Sequence, residues 1–64
     1  MELNAFVKGI SIIQKYHTTD GFHVGADHDV VYVFEPDTDI STEDLAELER
    51  LGWSLDDIGW RAYV

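Results

Sequence analysis

The spacing of apolar residues along the chain predicts two amphipathic helices separated by β segments. Leu3, Phe6, Val7, Ile10 and Ile13 fall at offsets of 3, 4, 7 and 10 from the first, the offsets of one helical face. Ile12 and Tyr16, four apart, widen that stripe, so residues 3–16 read as a helix. Glu2 and Lys15 stand at its ends with the signs the helix dipole favours. Gly9 costs up to about 1 kcal/mol in a helix interior, and a close approach to the sheet would account for it.

His17 to Gly21 reads as a turn, with Asp20-Gly21 supplying the backbone freedom of a reversal. Phe22-His23-Val24 then alternates apolar and polar, as a half-buried strand does. Gly25 to His28 is short and turn-rich, which predicts a hairpin into Asp29–Phe34. That stretch, Asp-Val-Val-Tyr-Val-Phe, is the one unbroken apolar run with strong β character. Pro36 ends it, since it cannot donate a ladder hydrogen bond and biases Glu35 toward extended geometry. Alternation places Val31 and Val33 on one face and Val30, Tyr32 and Phe34 on the other. Both faces are apolar, and one helix layer covers only one of them.

Ser41 is a good N-cap, and Asp44 three residues on makes a shortened capping box. The helix it opens carries Leu45 and Leu48 on its buried side, with Ile40 placed as a hydrophobic staple. It runs to about Leu51, and Gly52 stands where a C′ glycine ends a helix. Arg50 complements the C-terminal dipole. Trp60, Ala62 and Val64 alternate with Arg61 and Tyr63, so the chain is expected to finish in a core strand. Trp53–Leu55 reads as a short strand hairpinned to it through Asp56 to Gly59; the alternative is a single helical turn at Asp56–Ile58. The order α-β-β-α-β, with a possible further strand, predicts one α+β domain, 1–64. Its small antiparallel sheet has three to four strands, with both helices on one face.

Composition narrows the function. A chain of 64 residues buries only about 60% of the surface its unfolded form exposes, so its stability is marginal. There is no cysteine, hence no disulfide framework and no thiolate zinc site. That composition fits a reducing cytoplasm, and no basic leader precedes the first helix. No apolar run approaches the roughly 20 residues of a membrane-crossing helix.

Thirteen acids face four bases, a net charge of −9. Glu35 to Asp57 alone holds nine acids and one base. Such a segment repels nucleic acid and anionic lipid and attracts basic partners, unless it serves only to keep a small protein soluble. Four scattered bases also argue against direct phosphate contact.

His23, Asp27, His28 and Asp29 are the one close grouping of metal-capable side chains. They fall across a predicted hairpin turn, where Asp more commonly bonds nearby backbone amides. There is no zinc-protease helix, phosphate loop or nucleophile elbow, and a chain this short rarely encloses a pocket. No cofactor and no catalytic residue is expected.

His28-Asp29 before an apolar strand, a capped helix ending Leu48-Glu49-Arg50-Leu51-Gly52-Trp53, and a second Trp in a terminal strand together form a recognisable pattern. Over roughly residues 23–63 the chain resembles a class of short, uncharacterised α+β proteins encoded by bacteriophages and bacteria. The resemblance implies a host-directed binding or inhibitory role and transfers no activity.

The expectation from these residues is a non-enzymatic acidic module that binds a basic protein. Glu43, Asp44 and Glu47 on the second helix, with Tyr32 and Phe34 on the sheet, are the candidate contacts. Homodimerisation through the uncovered sheet face or an edge strand is a second mode. A metal site at the His23–Asp29 turn is the rival of another class.

Overall fold

The apolar periods fold as they read, into two helices and four strands. A computed structural model describes residues 1–64 as α1 (Leu3–Gln14), β1 (Val24–Asp27), β2 (Val30–Phe34), α2 (Thr42–Arg50), β3 (Ser54–Leu55) and β4 (Gly59–Tyr63). The strands form one antiparallel sheet in the order β1-β2-β4-β3. Val33 lies opposite Trp60 and Val31 opposite Ala62, so these four side chains share the face that meets the helices. The core is Ile13 from α1, Leu48 from α2, Val33, Trp60 and Ala62 from the sheet, and Trp53 from the link after α2. Phe6, Ile10, Ile12, Ile40 and Leu51 pack around it.

Trp53 sets the rotation of α1. Its ring stacks on Phe6 with centroids 5.7 Å apart, and its indole N–H donates to the Ala5 carbonyl at 3.3 Å. The ring lies directly on Gly9: a Cβ there would stand 1.9 Å from the indole nitrogen. Gly9 therefore admits a tryptophan, where the sequence suggested an approach to the sheet. With Phe6, Gly9 and Ile13 turned inward, Leu3 and Val7 are turned out. They are 73% and 52% exposed, which corrects the buried stripe expected for them.

The ends of α2 are fixed as its sequence requires. The Ser41 hydroxyl accepts from the Asp44 N–H at 3.2 Å. The Asp44 carboxylate does not reach back to the Ser41 N–H. The Tyr16 hydroxyl bridges instead, accepting from the Ser41 N–H at 3.3 Å and donating to Asp44 Oδ2 at 2.5 Å. At the other end Gly52 has φ of +97°; Trp53 N–H donates to the Leu48 carbonyl and Gly52 N–H to the Glu49 carbonyl. That is a Schellman closure, and its hydrophobic contact joins Leu48 to Trp53. Leu45, expected inside, is 37% exposed.

The first hairpin is displaced from the expected position. β1 starts at Val24, and the turn is His28-Asp29, a two-residue loop. His28 adopts φ of +54° and Asp29 does not go positive, matching a II′-type turn, where glycine is usual at the first position. Phe22 accordingly lies outside the sheet and is 99% exposed.

The second hairpin does form, and no helical turn occurs at 56–58. Asp56 Oδ1 accepts from the N–H groups of Ile58 and Gly59 at 2.9 and 3.2 Å. Gly59 then passes so close to β2 that a Cβ would lie 2.5 Å from the Val33 carbonyl oxygen. Trp60 and Ala62 are buried as expected, but Val64 is 59% exposed and outside the core.

Candidate functional site

The acids of Glu35 to Asp57 divide into those the fold uses and those it leaves free. Asp37 accepts from the Thr18 N–H at 3.1 Å and from the Thr18 hydroxyl. Asp44 holds Tyr16 and, at 2.9 Å, Lys15. Glu47 takes both nitrogens of the Arg50 fork at 2.7 and 2.6 Å. Asp56 pairs with Arg61. Glu35, Asp39, Glu43, Glu49 and Asp57 have no hydrogen-bond or ion-pair partner. Lys15, Arg50 and Arg61 are consumed by acids of the same segment, which leaves Lys8 as the one unpaired base.

Local hydrogen bonding favours the ionised form of three of the engaged acids, Asp44, Asp37 and Glu47. The Tyr16 hydroxyl, and then Lys15, keep the Asp44 carboxyl below the usual carboxylate range. The Thr18 hydroxyl and N–H do the same for Asp37, and the Arg50 guanidinium for Glu47. The Asp44 hydrogen bond in turn raises Lys15.

Two of the free acids, Glu35 and Asp39, line a groove. Glu35, Pro36, Thr38, Asp39, Ile40, Leu45, Leu55 and Trp60 line an open cavity of about 320 Å³ between the β2–α2 loop, α2 and β3. Pro36, Ile40, Leu45, Leu55 and Trp60 give it an apolar lining; Glu35 and Asp39 are its charges. Glu49 stands one helical turn beyond Leu45, and Asp57 lies in the turn two residues after Leu55. The groove thus combines desolvatable surface with unneutralised carboxylates.

Alternation puts the residues expected to act together on opposite sides of the molecule. Tyr32 and Phe34 face away from the helices, on the far side of the sheet from α2. Arg61 lies over that outer face, 5.4 Å from the Tyr32 ring centroid and 5.7 Å from that of Tyr63, and donates to the Tyr63 hydroxyl at 2.7 Å. Phe34 and Tyr63 remain 40% and 52% exposed. On α2, Asp44 serves the helix junction and Glu47 lines a crevice with Val7, Lys8, Ser11, Ile12 and Lys15. Glu43 is exposed and free.

His23, Asp27, His28 and Asp29 do not converge. His23 stands beyond the start of β1, at the opposite end from the turn, so it cannot approach Asp29 as the misplaced hairpin implied. It stacks on His17 with centroids 4.3 Å apart and contacts the Thr19 carbonyl at 3.1 Å. His28 lies 3.6 Å from Asp27 with both side chains exposed. No group of three or more metal-ligating side chains is assembled anywhere in the molecule.

Sequence reasoning missed His17 and the groove. His17 contacts the Phe34 carbonyl at 3.0 Å and, with His23, Ile10, Gln14, Val24 and Val33, borders a second open cleft of about 490 Å³. Its only signal was a histidine immediately after an amphipathic helix. The groove has no local signal, because its walls come from three separated segments. Comparison of the chain with protein-family models, curated proteins and solved structures finds no match.

Proposed function

We propose that the protein is a non-enzymatic interaction module that captures a basic polypeptide in the groove bounded by Glu35, Asp39, Ile40, Leu45 and Leu55. The observation that carries this reading is the sorting of the acids. The fold spends its cations on Asp44, Glu47 and Asp56, and leaves the acids beside an apolar groove unpaired. An apolar side chain of the partner would enter between Ile40, Leu45 and Leu55, and flanking Lys or Arg residues would meet Glu35, Asp39, Glu49 and Asp57. The apolar anchor supplies affinity, and the charges supply steering and selectivity.

The test is a fluorescence-anisotropy titration with a labelled Lys/Arg-rich peptide carrying a central Leu, at low and high salt. Binding should weaken as salt rises. A Glu35→Gln, Asp39→Asn variant should bind about three- to tenfold more weakly, in keeping with exposed ion pairs of up to about 1 kcal/mol each. A Glu43→Gln, Glu47→Gln variant, altered on the other side of α2, should lose less. Equal binding of a Glu-rich control peptide would overturn the reading. A larger loss in the α2 variant would move the contact to Glu43 and Glu47.

A further inference from the structure

The β3 edge of the sheet borders the groove, and the ladder fixes which of its backbone groups are free. Asp56 N–H donates to the Gly59 carbonyl at 2.9 Å, so residues 56 and 59 form a hydrogen-bonded pair. Such pairs alternate with non-hydrogen-bonded ones along an antiparallel ladder. Leu55 with Trp60 is therefore non-hydrogen-bonded, and Ser54 with Arg61 is hydrogen-bonded. The other side of β4 has the complementary phase. Val64 N–H donates to the Asp29 carbonyl at 2.7 Å, so Ala62 with Val31 and Trp60 with Val33 are the bonded pairs toward β2. Trp60 thus directs its backbone groups to β2, and Leu55 keeps both of its own, N–H and C=O, for the open edge.

The Leu55 side chain stands opposite that of Trp60, on the same face of the sheet, and both line the groove. In an antiparallel addition, one residue of the incoming strand exchanges both hydrogen bonds with Leu55. Its side chain then falls on the Leu55 face, in the groove beside Ile40 and Leu45. Its immediate neighbours point to the other face. Residues two positions away return to the groove face, where Glu35 and Asp39 stand.

We propose that the groove takes its basic partner as an extended segment that adds a fifth strand to the sheet, antiparallel to β3 and bonded to Leu55. This rests on the groove reading of the proposed function and adds to it the partner's backbone conformation and register: an apolar residue opposite Leu55, with Lys or Arg two residues away. Charge complementarity selects the occupant. Glu35 and Asp39 are unpaired, and Lys15, Arg50 and Arg61 are already held by other acids of this chain. The free Leu55 groups select the conformation. A helix laid in the groove would bond its own backbone and cover the Leu55 N–H and C=O without answering them.

Backbone N-methylation of the labelled Lys/Arg-rich peptide with a central Leu tests the register. Methylating the nitrogen of the central Leu removes the N–H that meets the Leu55 carbonyl. Binding should weaken at least about fivefold, in keeping with the loss of one hydrogen bond. Methylating the next residue alters an N–H that points away from β3, and should change binding less than about twofold. Hydrogen exchange reads the protein side. Phe34 N–H donates to the His23 carbonyl at 2.8 Å, so by the same alternation Val24 and Ala26 are the outward residues of β1. With the peptide saturating, the Leu55 amide should slow at least about tenfold while the Val24 and Ala26 amides do not. If the peptide binds and both methylated forms bind equally well or lose equally, the added strand is overturned and the groove reading stands. Slowing at Val24 and Ala26 with Leu55 unchanged would overturn both, as would a peptide that does not bind.

Discussion

The two edges of the sheet are built by opposite means. At the β3 edge the chain is fixed by large side chains at short range: Trp53 on Gly9 and Phe6, Leu48 beneath it, Trp60 buried, and Gly59 against the β2 backbone. At the β1 edge nothing between Gln14 and Tyr32 is fully buried, and the segment is held by backbone bonds, the His17–His23 stack and a strained turn. The acids that remain free accompany the first edge, and exposed apolar side chains accompany the second. A domain this small has one core, and placing it under α2 and β4 leaves the other end thinly covered.

The sharpest way to break the contrast is to empty the tight side. Trp53→Ala and Trp60→Ala should each cost about 3–5 kcal/mol, the range for removing a core aromatic. Total stability in small domains is of the order of 5 kcal/mol, so both variants should be largely unfolded at room temperature by circular dichroism. Gly9→Ala comes next. Alanine gains helix propensity, up to about 1 kcal/mol, yet its methyl would occupy the Trp53 ring. Displacing that ring should dominate, with a net loss of about 2–3 kcal/mol in a urea melt. A stabilised Gly9→Ala protein would mean that Trp53 does not lie on α1.

How far the sequence disclosed this asymmetry depends on the range of the interaction involved. α2 was legible because its determinants are local: Ser41, the Leu period and Gly52 act within one or two turns. The hairpin was misplaced because His28 takes a backbone conformation that local propensity assigns to Gly25 or to Asp27. The rotation of α1 was not legible at all, since it is set by Trp53, far along the chain. The alternation that placed Val31 and Val33 inward was correct, and it also put Tyr32 and Phe34 out of reach of α2. The acids could be counted from sequence, but which of them are paired is decided by Tyr16, Lys15, Thr18, Arg50 and Arg61 across the fold.

A smaller effect tests the junction between the halves. Tyr16→Phe removes the hydroxyl that joins the Ser41 N–H to Asp44, and should cost about 1 kcal/mol, the typical value of one hydrogen bond. The acid limb of the stability curve should register the same junction. Asp44, Asp37 and Glu47 are held below the usual carboxylate range in the fold. A depressed carboxylate stabilises the native state above its unfolded pKa, and that stabilisation is lost as pH falls through the folded value. The melting temperature should therefore drop below about pH 4, and the drop should be shallower in an Asp44→Asn variant. A parallel curve would show that Asp44 makes no differential contribution.

The smallest effects belong to the β1 edge, and they test whether its strand stays seated on β2. Phe22 makes no buried contact, being 99% exposed, so Phe22→Ser should change monomer stability by less than about 0.5 kcal/mol. Any change would come from the unfolded chain, where a phenyl ring can join residual clusters, and would favour the variant slightly. Hydrogen exchange gives finer resolution. In dilute solution the outward Val24 and Ala26 amides should exchange quickly, while the inward amides of Gly25 and Asp27 should be protected by β2. That two-residue alternation is the direct imprint of the ladder phase. If all four amides exchange alike, β1 detaches from β2 as a unit and is not a fixed edge of the sheet.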